Sequence, residues 1–141
     1  MGQITTLQGY FTEETVRQLR PWYNGHRLTA DDFNAEHERC LAFVKRAVTE
    51  SKAEKKIVLT HHVPTVLCTA AEFSGSHING AFTVELGNYI VDSGIDYWIY
   101  GHSHRNIDAQ IGDTLILSNQ LGYVSHGEHL RNGFKPGRWI E

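Results

Sequence analysis

The chain has 141 residues, 40% hydrophobic and 21% charged, with a formal net charge of −3 and nine histidines. That length and balance allow one domain with one hydrophobic core. The slight acidity removes the electrostatic case for a nucleic acid or an anionic membrane surface as partner, and no apolar run approaches the ~20 residues of a membrane-spanning helix.

The first ten residues, MGQITTLQGY, hold neither a basic region nor an apolar run. No signal peptide is read there, and the chain is expected to be soluble and cytoplasmic. Thr12 with Glu13 and Glu14 predicts a helix start that Pro21 soon ends. WYNGHR predicts a turn centred on Asn24-Gly25. Thr29, with Asp32 three residues on, has the spacing of a capping box. Phe33, His37, Cys40, Leu41, Val44, Ala47 and Val48 then recur every three or four residues, which predicts a helix over 30–50. IVLT is a short strand ending at His61. Residues 63–80 form a long loop of small and polar residues, a length that is usually functional. A helix is predicted over 82–92, stopped by Gly94. YWIY, 97–100, is a strand. Residues 106–119 predict a hairpin with Gly112-Asp113 as a Gly-first two-residue turn. The fold class is α/β (α+β): a mixed sheet with helices on one face. Cys40 and Cys68 form no C-x-x-C pair and read as reduced thiols.

Two apolar strands end in histidine, as IVLTHH and YWIYGHSH. Ligands of open α/β sheets gather beyond the carboxyl ends of the strands. If the two strands are neighbours, His61, His102 and His104 converge there. Neutral imidazoles are preferred ligands of zinc, iron and manganese. In an extended segment residues i and i+2 point to one side, so His102 and His104 are expected to share a site. Gly101 is expected to give the sharp turn or close approach that such a site needs. His62 is a candidate for substrate contact or for packing, and His77, in the long loop, is a candidate for substrate contact. His37 reads as core. His26, His126 and His129 read as turn or tail residues.

VLTHHVPT followed by YWIYGHSHRNIDAQIGDTLILSNQLGY resembles the calcineurin-like metallophosphoesterases, over about Leu28 to Tyr123. The resemblance implies half of a β-sandwich flanked by helices. It also implies hydrolysis of phosphate mono- or diesters by metal-activated water. By resemblance His61 and His102 bind the second of two metals and His104 the first, with manganese, iron, zinc, nickel or magnesium as the divalent ions. The loop 65–80 would line the phosphate side and set selectivity.

The family's first half supplies Asp-x-His, a Gly-Asp with the bridging aspartate, and Gly-Asn-His. None of these occurs here. Gly112-Asp113 falls in the hairpin turn, and Gly87-Asn88 runs on to Tyr89. The 141 residues therefore read as one domain, the C-terminal part of such an enzyme, with no residue assigned to acid or base catalysis. Three neutral imidazoles bring no negative charge to hold two cations close together, though three histidines and a water suit one zinc. The expected partners are a phosphate-ester substrate and either a second copy or the missing first half. The alternative function is a non-catalytic remnant that binds metal or self-associates.

Overall fold

The computed structural model describes residues 22–76 and 78–141. The helix expected after Thr12 and the candidate His77 lie outside the described residues.

The described chain opens with a small antiparallel pair, β1 (Trp22–Tyr23) and β2 (His26–Arg27). Its turn residues Asn24 and Gly25 both have positive φ, 47° and 85°, the type I′ signature expected of Asn-Gly. Helix α1 (Ala30–Glu50) starts at a complete capping box: the Asp32 amide donates to Thr29 Oγ1, and the Thr29 amide to the Asp32 carboxylate. That carboxylate also meets His26 Nε2 at 2.9 Å. The Thr29 backbone, then His26 and the Thr29 hydroxyl, hold the Asp32 carboxyl down to about 2.

A group whose folded pKa is depressed stabilises the fold above its unfolded value and ceases to do so as pH falls through the folded one. The stability gap between wild type and Asp32→Asn is therefore expected to be full above about pH 4 and closed near pH 2. Acid titration of both unfolding curves checks this. A gap that stays constant down to pH 2 would contradict it.

The main sheet has the order β3 (Ile57–Leu59), β4 (Tyr97–Tyr100), β6 (Thr114–Ser118), β5 (Ala109–Ile111). The pairs β3–β4 and β4–β6 are parallel, and β5–β6 is the antiparallel hairpin. Ile111 pairs with Thr114 across Gly112-Asp113. Gly112 has φ 56° and Asp113 is not left-handed, as a Gly-first turn requires.

Alternation along the strands separates two faces. Val58, Trp98 and Ile116 form one cross-sheet row, buried against Leu41, Val44 and Val48 of α1 and Ile90 of α2 (Gly87–Val91). Cys40, His37 and Cys68 are buried as well. Burial pushes the Cys68 thiol up to about 11, so it is not a nucleophile. The opposite face carries Ile57, Tyr97 and Leu115 in one row and Leu59, Ile99 and Leu117 in the next. Leu59 is 65% exposed. The tail reaches this face at Tyr97, whose hydroxyl donates to the Glu141 carbonyl.

The helix expected over 82–92 is shorter. Phe82 closes a 3₁₀ turn, Asn79–Ala81, and Thr83 forms a parallel bridge with Val63. The amides of Val63 and Val84 bond across that bridge, to the carbonyls of Phe82 and Val63. Thr83 and Val84 are β-branched and suit this extended pairing better than a helix. The Glu85 carboxylate accepts from the Val66 and Gly87 amides and the Thr65 hydroxyl. It thereby pins the long loop, which is itself built of short 3₁₀ turns at Val66–Cys68 and Ala71–Phe73.

Candidate metal and phosphate site

Strands β3 and β4 are adjacent and parallel, so IVLT and YWIY deliver their histidines to one sheet end. The ladder continues past both strands: the Thr60 amide bonds the Ile99 carbonyl, and the Gly101 amide bonds the His61 carbonyl. His61 Nε2 and His102 Nδ1 then meet at 2.9 Å. His62 packs on His102 with ring centroids 4.5 Å apart, and Phe82 covers His102 at 4.6 Å.

Burial first, and the neighbouring imidazoles next, push His102 down to about 4 and His62 down to about 3. Both are neutral at pH 7 and offer lone pairs rather than charge. His62 is 6% exposed, so it supports the cluster from within rather than facing solvent.

His102 and His104 make different contacts. Both are left-handed, with φ 72° and 52°, so the i, i+2 rule for extended chain does not apply to them. The sharp turn expected at Gly101 is made by these two histidines. A Cβ on Gly101 would meet only ordinary contacts, at 3.5 Å from the His61 carbonyl. His104 turns to a second group, its Nδ1 2.9 Å from Glu128 Oε2 and its ring 4.5 Å from that of Tyr123. One cleft holds both groups and is lined by His61, His102, His104, Arg105, Tyr123 and Glu128. Among the described residues, no group of three or more His, Cys, Asp or Glu side chains converges on a single ion position.

The family model described as calcineurin-like phosphoesterase matches residues 3–106. The chain belongs to the calcineurin-like phosphoesterases. The match ends at Asn106, so the SNQLGY segment, counted above within the resemblance, lies beyond it. The chain is also 30% identical over 122 residues to "Uncharacterized protein L509" of Acanthamoeba polyphaga mimivirus. That alignment covers 82% of this chain and 41% of the viral protein, so the chain spans about two fifths of that relative's length. No solved structure matches the chain.

Do the residues of this calcineurin-like chain suit a divalent ion? Two imidazole nitrogens on one tetrahedral zinc, at bonds of about 2.0–2.1 Å, lie roughly 3.3 Å apart. The His61–His102 pair, at 2.9 Å, is close to that separation. His102 Nε2 is buried without a hydrogen-bond partner, so burial and ring packing against His62 and Phe82, not a second hydrogen bond, hold this ring. The pair fits two positions of an ion's shell. His104 fits a ligand of a different position. A carboxylate only accepts, so Nδ1 of His104 carries the proton facing Glu128 and, in the neutral ring, Nε2 keeps its lone pair.

Several residues of this site were not singled out in the sequence. Gln120 accepts the His104 amide at 2.8 Å and donates to the Arg105 carbonyl at 2.9 Å, clamping the left-handed loop. Asn106 accepts the Gln120 amide and donates back to its carbonyl. Glu128 brings the negative charge that a count of imidazoles omits. Its carboxyl is held below the usual range by the Tyr123 amide and then by His104. The available signal was the polar run SNQ at the end of β6, a third strand whose carboxyl end faces the same site.

Proposed function

We propose that the chain supplies part of the metal and phosphate machinery of a metal-dependent phosphoesterase that hydrolyses phosphate mono- or diesters. The observation that carries this is the His61–His102 contact at the ends of two parallel strands, with His104 held separately in the same cleft. A pair and a single histidine match the division in which His61 and His102 serve one metal and His104 the other. Bound divalent ions would supply Lewis-acid stabilisation of phosphate oxygens and a water of lowered pKa. The chain's own contribution is to keep His102 neutral by burial and to fix the tautomer of His104 through Glu128. Arg105 lies in the cleft and pairs with Glu72 through Nε at 2.6 Å. Exchanging Glu72 for a phosphate oxygen would let Arg105 neutralise substrate charge.

The rest of each metal shell, a bridging carboxylate above all, is proposed to come from a preceding half-domain. A non-catalytic remnant is the second reading, favoured by the absence of Asp-x-His from these 141 residues. We expect the chain alone to bind Zn²⁺ or Mn²⁺ weakly and to turn over bis(p-nitrophenyl) phosphate slowly or not at all. Calorimetric titration with Zn²⁺ tests the site: His102→Ala should weaken binding at least about tenfold, and Glu128→Gln by less. Equal affinity in wild type and His102→Ala would remove the basis of this reading. Turnover restored by a polypeptide carrying the family's first half would separate the enzyme from the remnant.

A further inference from the structure

Next to the histidine cleft lies a smaller cavity of about 150 Å³. Its walls include Val63, Ala70, Phe73, Ile78, Phe82 and His102. Phe73, Phe82, His102 and Ser103 line both the cavity and the cleft, so the two adjoin. We propose that this cavity is a subsite for a compact apolar substituent, of the size of one aromatic ring, on a phosphate ester held in the cleft. The inference rests on the cleft being the phosphate site and goes beyond it by naming the substrate class.

Three observations support an apolar occupant. The walls are mainly aliphatic and aromatic, and two of their hydroxyls, Thr69 Oγ1 and Thr83 Oγ1, face each other at 3.1 Å and satisfy one another. An enclosed apolar cavity of about this volume admits benzene, and this one, open towards the cleft, has room for a single ring. The walls are also fixed. The Thr83–Val63 bridge and the 3₁₀ turns Ala71–Phe73 and Asn79–Ala81 hold the backbone. The Arg105 guanidinium sits 5.6 Å from the centre of the Phe73 ring.

The arrangement divides recognition into two parts. Arg105 and the histidines meet the phosphate, and the cavity takes the hydrophobic group attached to it. Arg105 belongs to both, since its guanidinium lies by Phe73 while its backbone is tied to the His104 loop. Benzyl or aryl phosphates therefore suit the site, and strongly hydrated sugar phosphates do not.

The test is an amide-resolved NMR titration of the chain, with Mg²⁺ present, using benzylphosphonate, methylphosphonate and benzyl alcohol. Benzylphosphonate should bind at least about tenfold more tightly than methylphosphonate and shift the amides of Thr69, Ala70 and Thr83. Ala70→Leu, which fills the cavity, should abolish that preference and leave methylphosphonate affinity unchanged. Phe73→Ala, at an exposed wall position, should reduce the preference too and serves if Ala70→Leu does not fold. Equal binding of the two phosphonates, with no benzyl alcohol shifts at these amides, would overturn the cavity proposal. Benzyl alcohol binding lost in Ala70→Leu, with no gain from a phosphonate group, would leave the apolar subsite standing and overturn the phosphate cleft instead.

Discussion

Replacing Trp98 with alanine is expected to remove about 3–5 kcal/mol of stability, more than any other single truncation in the sheet. Trp98 is fully buried at the centre of β4, between Val58 of β3 and Ile116 of β6. Its loss leaves a void that three strands and α1 cannot close without breaking register. A second cost comes from the indole, whose Nε1 donates to Thr60 Oγ1 at 2.9 Å. That hydroxyl donates in turn to the His62 carbonyl at 3.0 Å. The core residue is thus bonded to the segment that carries His61 and His62. Trp98→Phe keeps most of the volume and drops the bond, so it should cost about 1–2 kcal/mol. Urea midpoints at one fixed protein concentration measure both changes, and the concentration must be fixed because association shifts the midpoint. A midpoint for Trp98→Ala within error of wild type would contradict the assignment of the core. Zn²⁺ affinity should fall in Trp98→Phe if the indole–Thr60–His62 chain sets the imidazole positions, and stay unchanged if it does not.

The second large effect concerns the uncovered sheet face. At micromolar concentration the chain is expected to form dimers or larger species, and the double variant Leu59→Lys, Ile99→Lys to be monomeric. Six apolar side chains stand there in two cross-strand rows. Fully burying one Ile or Leu side chain contributes about 1.5–3 kcal/mol. Strand β3 is also a sheet edge, with no strand on its outer side among the described residues. A symmetric pairing of two such faces is the simplest closure open to a single chain. Light scattering with analytical ultracentrifugation decides it. A wild-type chain that is monomeric throughout the micromolar range would mean that the tail, already at Tyr97 through Glu141, covers more of the face than one contact.

The parts of the fold that were legible in the sequence had local causes. The capping box and apolar stripe of α1, the Asn-Gly and Gly-Asp turns, and the short apolar strands each carry their signal within a few residues. Two things escaped because their causes are distant in the chain. Residues 82–86 follow a helical spacing, yet pairing with Val63, some twenty positions earlier, draws Thr83 and Val84 into a bridge. The parallel pairing of β6 with β4 is likewise absent from a hairpin pattern, and it brings the segment after β6, with Gln120 and, beyond it, Glu128, to the same sheet end as His104. The histidines themselves were legible as types at strand ends. Their division into a pair and a single one was not derivable from spacing, since the i, i+2 argument assumed extended backbone where the chain is left-handed.

The left-handed backbone at 102 and 104 has a consequence for engineering. For residues other than glycine this conformation costs roughly 1–3 kcal/mol, although histidine, with asparagine and aspartate, enters it more often than most. Against the relief of that cost stand the contacts of each ring, His102 with His61 and Phe82 and His104 with Glu128, so a directed-evolution campaign that rewards heat resistance alone should enrich His102→Gly and His104→Asn only where the backbone relief exceeds the loss of those contacts. Sequencing the survivors gives a readout independent of catalysis. The positions where heat selection discards imidazole are those where the natural chain keeps it for a purpose other than folding.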